Sequence, residues 1–173
     1  PLAELRPDAP APLERIVTRC IQTDPAARYA TTGELSAAID RLKGECRIIL
    51  VDMHAEATAE KVAMGWFLDG RVTAVVGTHT HIQTADSRVL PGGTAYITDV
   101  GMTGPHDSII GMEREAVLTR FVTGLPIRME PASANPRLQA VVITADDTTG
   151  RATDIERLDW SADDVDAARD AIR

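Results

Sequence analysis

Aromatic residues are scarce in this chain, at two Trp, two Tyr and two Phe in 173 residues. Its core must therefore be assembled from Val, Ile, Leu, Ala and Met, within a hydrophobic fraction of 44 % that is ordinary for a globular protein. Cysteine is almost missing too. Cys20 and Cys46 stand in separate segments without metal-type spacing, so reduced thiols in a cytoplasmic protein are the expectation. Positive charge is in deficit, with 18 Lys and Arg against 26 Asp and Glu and a net charge of −8. That balance argues against an electrostatic grip on duplex nucleic acid or an anionic membrane. A phosphate substrate stays open, because bound cations reverse the local sign inside an acidic protein. No apolar run approaches the length that spans a bilayer, and no basic segment followed by an apolar stretch opens the chain.

What is present divides near Gly44. Residues 1–44 read as short helices with Pro-rich connections. Pro12 suits a first helical turn, and Leu13, Ile16, Val17, Cys20 and Ile21 repeat at the spacing of one buried helix face. Asp24-Pro25 interrupts that helix. Thr31 and Glu34 have capping-box spacing, Leu35, Ala38, Ile39 and Leu42 form the next stripe, and Gly44 is a suitable stop. A helical pair this short is too small to be stable alone.

The run Pro12-Leu13-Glu14-Arg15-Ile16-Val17, with Cys20-Ile21, Asp24-Pro25, Arg28-Tyr29 and Glu34-Leu35, resembles the end of a bacterial Ser/Thr protein kinase domain. In that family the Arg matching Arg28 pairs with a Glu at the end of the activation segment, and no such segment precedes it here. The Gly-rich loop, the ATP-contacting Lys, the His-Arg-Asp loop and the Asp-Phe-Gly motif are missing as well, which excludes kinase activity on chemical grounds.

Residues 45–173 read differently. Arg47 to Met53 is a near-continuous apolar run expected to be a strand buried on both faces. Glu56 to Asp69 is expected to be a helix with Ala59, Val62, Ala63, Trp66 and Phe67 on its inner side, ended by Gly70. Val72 to Val76 is a second buried strand. Two buried strands around a helix predict a parallel βαβ unit. Pro91-Gly92-Gly93 is a turn, Thr94 to Thr98 a strand, and Gly101 to Gly111 irregular. A helix is expected over 113–123 and a short strand over 127–130. A hairpin of 138–144 with 152–158 turns through Asp146 to Gly150, and a polar helix closes the chain over 163–172.

His54 follows the first buried strand at once, and His79 and His81 follow the second. Ligands of open α/β sheets bind at the carboxyl ends of parallel strands. On an extended segment residues i and i+2 point the same way, which would bring His79 and His81 to one small object. Imidazole suits Zn, Mn, Fe or Ni. From spacing alone, a metal site and ordinary hydrogen-bonded loop histidines both remain open. His106 reads as a loop residue.

Several long motifs then carry a resemblance. They are Val51-Asp52-Met53-His54-Ala55-Glu56-Ala57-Thr58, Gly65-Trp66-Phe67-Leu68-Asp69-Gly70-Arg71-Val72, and Val76-Gly77-Thr78-His79-Thr80-His81-Ile82-Gln83-Thr84-Ala85-Asp86. Tyr96-Ile97-Thr98-Asp99-Val100-Gly101-Met102-Thr103-Gly104-Pro105 and Gly124-Leu125-Pro126 continue the series. From about Arg47 to about Trp160 the chain resembles the bacterial YmdB-type metallophosphoesterases, 2′,3′-cyclic-nucleotide phosphodiesterases of the calcineurin-like superfamily. The resemblance implies an α/β fold, an incomplete calcineurin-like sandwich preceded by the small helical segment. It implies that His54 and His79 bind one divalent ion (Mn, Fe or Zn) and His81 a second. In such centres the metals polarise phosphoryl oxygens and acidify a water that attacks phosphorus. Asp52 and Glu56 would orient the rim, or serve only as capping or solvated acids. Thr78 and the loop with Asp99, Gly101 and Gly104 would help shape the phosphate pocket.

The sequence departs from the family pattern in its first half. The family opens with a strand bearing a metal-binding Asp and further acidic and Asn ligands, one of them bridging two ions, and none of these precedes Arg47. An incomplete two-metal site is the expectation, with fewer than two ions bound. An open sheet edge would then invite partner binding or homo-oligomers. The alternatives to an enzyme are a non-catalytic metal- or phosphate-binding module and an inactive fusion fragment.

Overall fold

A computed structural model of the chain describes residues 31–171, together with Asp24 and Ala26. The helix expected over residues 12–21, Cys20 and Arg28-Tyr29 lie outside the described residues. Helix α1 spans Thr32–Leu42, and the Thr31 hydroxyl accepts the Glu34 N–H at 3.2 Å, so the capping spacing in the sequence is used as a cap. Ala38, Ile39 and Leu42 are buried along its inner face.

The next three elements form the expected parallel unit. Strand β1 (Leu50–His54), helix α2 (Thr58–Leu68) and strand β2 (Ala74–Thr78) follow in order, with Leu50 opposite Ala74 and His54 opposite Thr78. Two further strands complete the sheet, β3 (Arg88–Val89) and β4 (Ala95–Ile97). Strand β4 runs parallel to β2, and β3 pairs with β4 in the antiparallel sense, giving the order β1-β2-β4-β3. Between β3 and β4 the chain turns through Pro91-Gly92-Gly93, where Leu90 N–H donates to Thr94 O at 2.8 Å.

A second, antiparallel sheet holds β5 (Gly104–Pro105), β6 (Pro136–Ala145) and β7 (Ala152–Ser161). The β6–β7 hairpin is the one the sequence predicts, extended at both ends. Its turn is held by Asp146, whose carboxylate accepts the N–H groups of Thr148 and Thr149 at 2.8 and 2.9 Å. Helix α3 (Arg114–Thr123) ends at Gly124 in the left-handed conformation, and α4 is Ala162–Ala171.

The four-stranded sheet is covered on both sides. On one side α1 and α2 contribute Ile39, Leu42 and Leu68 to a core with Ile49, Val72, Val75, Leu90 and Tyr96. On the other, Ala74, Val76, Ala95 and Ile97 pack against Ala152 and Ile155, with Val141 and Ile143 beside them. The architecture is therefore a helix layer on a mixed sheet on an antiparallel sheet. Its core is aliphatic apart from Tyr96.

Three expectations are corrected. First, β1 is not buried on both faces. Among the described residues it is an edge strand whose alternate residues face outward, and Leu50 is 61 % exposed. The second sheet covers β2 and β4 and leaves the outer face of β1 open. Secondly, α2 presents Lys61, Gly65 and Leu68 inward, whereas Trp66 and Phe67 are half exposed. The rotation follows from two contacts that carry no apolar signal. Lys61 pairs with Asp99, and Gly65 lies so close to Tyr96 that a Cβ would sit 2.5 Å from the ring. Thirdly, residues 127–130 form no strand. This segment is tied instead by Glu113 N–H to Glu130 O at 2.9 Å.

Candidate functional site

The carboxyl ends of β1 and β2 carry the candidate residues. Because side chains alternate along a strand, the β1–β2 register places Asp52, His54 and Thr78 on the same open face. The Thr78 hydroxyl lies 2.9 Å from Asp52 Oδ1 and 3.2 Å from His54 Nδ1. The other nitrogen of His54, Nε2, meets His79 Nδ1 at 3.2 Å, with the rings edge to face and their centroids 4.9 Å apart.

His79 reaches this position because the backbone turns out of β2. Its φ is 124° and that of His81 is 63°, so the segment is not extended as the i, i+2 reading required. Non-glycine residues in such conformations cost about 1–3 kcal/mol each and persist only where the surroundings hold them. The surroundings here centre on Asp99, which is fully buried. Its carboxylate accepts Thr80 N–H at 2.8 Å and Gly101 N–H at 3.0 Å, and faces Lys61 Nζ at 3.3 Å. Lys61 Nζ also donates to Thr78 O at 3.3 Å. One buried ion pair thus grips the chain on both sides of His79. Burial pulls the Asp99 pKa upward, but the hydrogen bonds from Thr80, Gly101 and Lys61 outweigh it and leave the group below the ordinary carboxylate value.

The structure brings together His54, His79, Thr78 and Asp52, with Asp99 and Lys61 behind the turn that carries His79. His81 Nδ1 lies 3.2 Å from Ile110 O. Glu56 is exposed just beyond β1. Gly101 already gives its N–H to Asp99, so it shapes the loop; Gly104 lies in β5 opposite Arg137. His106 is a loop residue, its Nδ1 3.1 Å from Gly104 O. Lys61 and Gln83 are the two residues that sequence patterns do not reveal. The Gln83 amide donates to the carbonyls of Val100, Ala140 and Leu158, fastening the His loop to the second sheet. A lysine within a largely apolar helix and a lone loop Gln give no periodic signal that could single them out.

The residues can be tested against a divalent ion by their own geometry. Two nitrogens bound at about 2.0–2.1 Å in a tetrahedral array lie about 3.3 Å apart. His54 Nε2 and His79 Nδ1, at 3.2 Å, match two ligands of one ion. Among the described residues no group of three or more His, Cys, Asp or Glu side chains is assembled to hold a metal.

A parallel βαβ unit delivering imidazoles at its strand ends, backed by an antiparallel sheet, is the arrangement that the resemblance to calcineurin-like metallophosphoesterases implied. The chain belongs to the YmdB-like protein family, whose model matches residues 17–158. It is 61 % identical over 110 residues to the 2′,3′-cyclic-nucleotide 2′-phosphodiesterase of Bacillus subtilis, covering 64 % of this chain and 42 % of that protein. A crystal structure of a novel phosphatase from Mycoplasma pneumoniae superposes with a TM-score of 0.69 at 38 % identity, over 75 % of this chain and 46 % of that one. A hypothetical protein from Thermus thermophilus gives a TM-score of 0.65 at 46 % identity, over 73 % and 50 %. The chain spans about half the length of the relatives it matches.

Proposed function

We propose that this chain carries the histidine part of a metal-dependent phosphodiesterase site whose substrates are 2′,3′-cyclic nucleotides. The observation that carries this reading is the approach of His54 Nε2 to His79 Nδ1 at 3.2 Å on the rim of a parallel sheet. The name of the Bacillus subtilis relative supports the choice of substrate. His54 and His79 hold one divalent ion (Mn, Fe or Zn), and His81 serves a second where further ligands are supplied. When bound, the metal stabilises charge on phosphoryl oxygens and acidifies a water nucleophile. The chain's own residues do the positioning. Lys61 and Asp99 fix the turn that carries His79, and Asp52 and Glu56 set the charge of the rim. No helix of the described residues is long and apolar enough to cross a membrane, and a cytoplasmic location fits the acidic composition.

Elemental analysis and hydrolysis of 2′,3′-cyclic AMP with Mn²⁺ test the proposal together. The expected result is fewer than two ions per chain, lost in the His54→Ala, His79→Ala double variant. Two ions per chain would overturn the assignment of an incomplete centre, and turnover that survives the double variant would overturn the site. A second reading, a metal- or phosphate-binding module without turnover, draws on the finding that among the described residues no group of three or more His, Cys, Asp or Glu side chains is assembled to hold a metal. Metal retention without hydrolysis selects it. The open edge of β1 is part of the same proposal, as a surface through which copies of the chain associate.

A further inference from the structure

The contacts from Asp52 to His79 have a direction. The Thr78 hydroxyl owns a single proton, and an ionised carboxylate only accepts. Its proton therefore goes to Asp52 Oδ1, 2.9 Å away. The 3.2 Å contact between Thr78 Oγ1 and His54 Nδ1 then closes as a hydrogen bond only if Nδ1 carries hydrogen and donates it. A neutral imidazole has one N–H, so Nε2 is left with a lone pair, and Nε2 is the atom that faces His79 Nδ1 at 3.2 Å. We propose that Asp52, acting through the Thr78 hydroxyl, is a positioning residue that locks His54 in its Nδ1–H tautomer and presents the Nε2 lone pair to the site. The strand register makes this possible, because Asp52, His54 and Thr78 share one face of β1 and β2.

The chain of contacts reverses if its anchor is removed. Without Asp52 the Thr78 hydroxyl is free to donate to His54 Nδ1, which then accepts and drives the proton to Nε2. Without the hydroxyl Nδ1 loses the acceptor that the protein supplies. Either change removes the contact that fixes the proton on Nδ1 and shifts the tautomer toward Nε2–H. The consequence for metal binding rests on the proposed metal site; the tautomer itself does not.

The experiment is ¹⁵N NMR of the His54 ring in the full chain after chelator treatment, followed by titration with Zn²⁺ alone. The wild-type protein and Thr78→Ser are expected to show a pyrrole-type Nδ1 and a pyridine-type Nε2. Thr78→Val and Asp52→Ala are expected to show the opposite tautomer, and Zn²⁺ affinity about 10–100-fold weaker. Thr78→Ser is expected to keep the wild-type affinity, which separates loss of the hydroxyl from loss of packing. An Nε2–H tautomer in the wild type, or no change of tautomer in Thr78→Val, overturns the proposal. The expected tautomers with no Zn²⁺ binding in any variant support the relay and overturn the metal reading alone.

Discussion

Lys61 Nζ lies 3.3 Å from Asp99 Oδ2 with both side chains withdrawn from solvent, at 1 % and 0 % exposure. The pair joins α2 to the loops that leave β2 and β4, so it couples the helix layer to the candidate site. Removing one partner of a buried ion pair costs about 3–5 kcal/mol, because the other charge is stranded. Lys61→Met should lose about that much in urea unfolding. The His54–His79 contact should loosen with it, since Asp99 and Lys61 hold the backbone on either side of His79. Unchanged stability in Lys61→Met would show that the pair is not formed.

Acid should destabilise the protein through carboxylates held below their ordinary pKa, of which Asp86 and Asp99 are the ones withdrawn from solvent. Burial raises the pKa of Asp86, but bonds from the Thr84 hydroxyl and from the Thr98 hydroxyl and N–H more than compensate, and its value falls below 3.8. Asp99 is lowered in the same way. A folded pKa below the unfolded one contributes stability that is complete above the unfolded value and is lost as pH falls through the folded one. The urea midpoint is therefore expected to hold from neutral pH down to about 4 and to drop below it. Asp86→Asn should flatten part of that drop. A midpoint that starts to fall well above the carboxylate range would contradict this assignment.

Gly77 sits inside β2 where a Cβ would lie 1.8 Å from Thr98 O and 2.8 Å from Lys61 Cδ. The nearer atom is backbone and cannot rotate away, so Gly77→Ala must push β2 and β4 apart. A loss of about 3 kcal/mol or more is expected in thermal or urea unfolding. Gly124 is the comparison. It has φ 69°, and a Cβ placed there would meet nothing within 4 Å. Gly124→Ala should therefore cost only the left-handed conformation, about 1–2 kcal/mol.

The outer edge of β1 exposes Leu50, with Ile48 just before it, each about half or more accessible. Leu50→Lys places a charge on that edge, which disfavours strand pairing between copies. Light scattering should give a mass for Leu50→Lys closer to the 18.6 kDa monomer than for the wild type. Equal masses would remove the edge as an association surface.

Much of the fold is legible in the sequence because it is local. Thr31 and Glu34 announce the start of α1, the Val/Ile runs around α2 announce a parallel unit, and Asp146 to Gly150 announces a hairpin. Each rests on residues close together in the chain. The inner face of α2 escapes such a reading because its closest contacts use Lys61 and Gly65, and a hydrophobic pattern is blind to both.

The same division runs through the site. The sequence by itself determined that histidines follow two strands of a parallel unit, and its motifs tied the chain to a metallophosphoesterase family. Only the tertiary structure decided which histidines meet. His79 approaches His54 because Asp99 holds the turn at Thr80 in a backbone conformation that no local preference favours, and His81 Nδ1 meets Ile110 O. Which nitrogen faces the site is likewise a matter of strand register, set when β1 pairs with β2 and brings Thr78 between Asp52 and His54. Local sequence fixes which groups are available. Hydrogen bonds between residues distant in the chain fix how they are aimed.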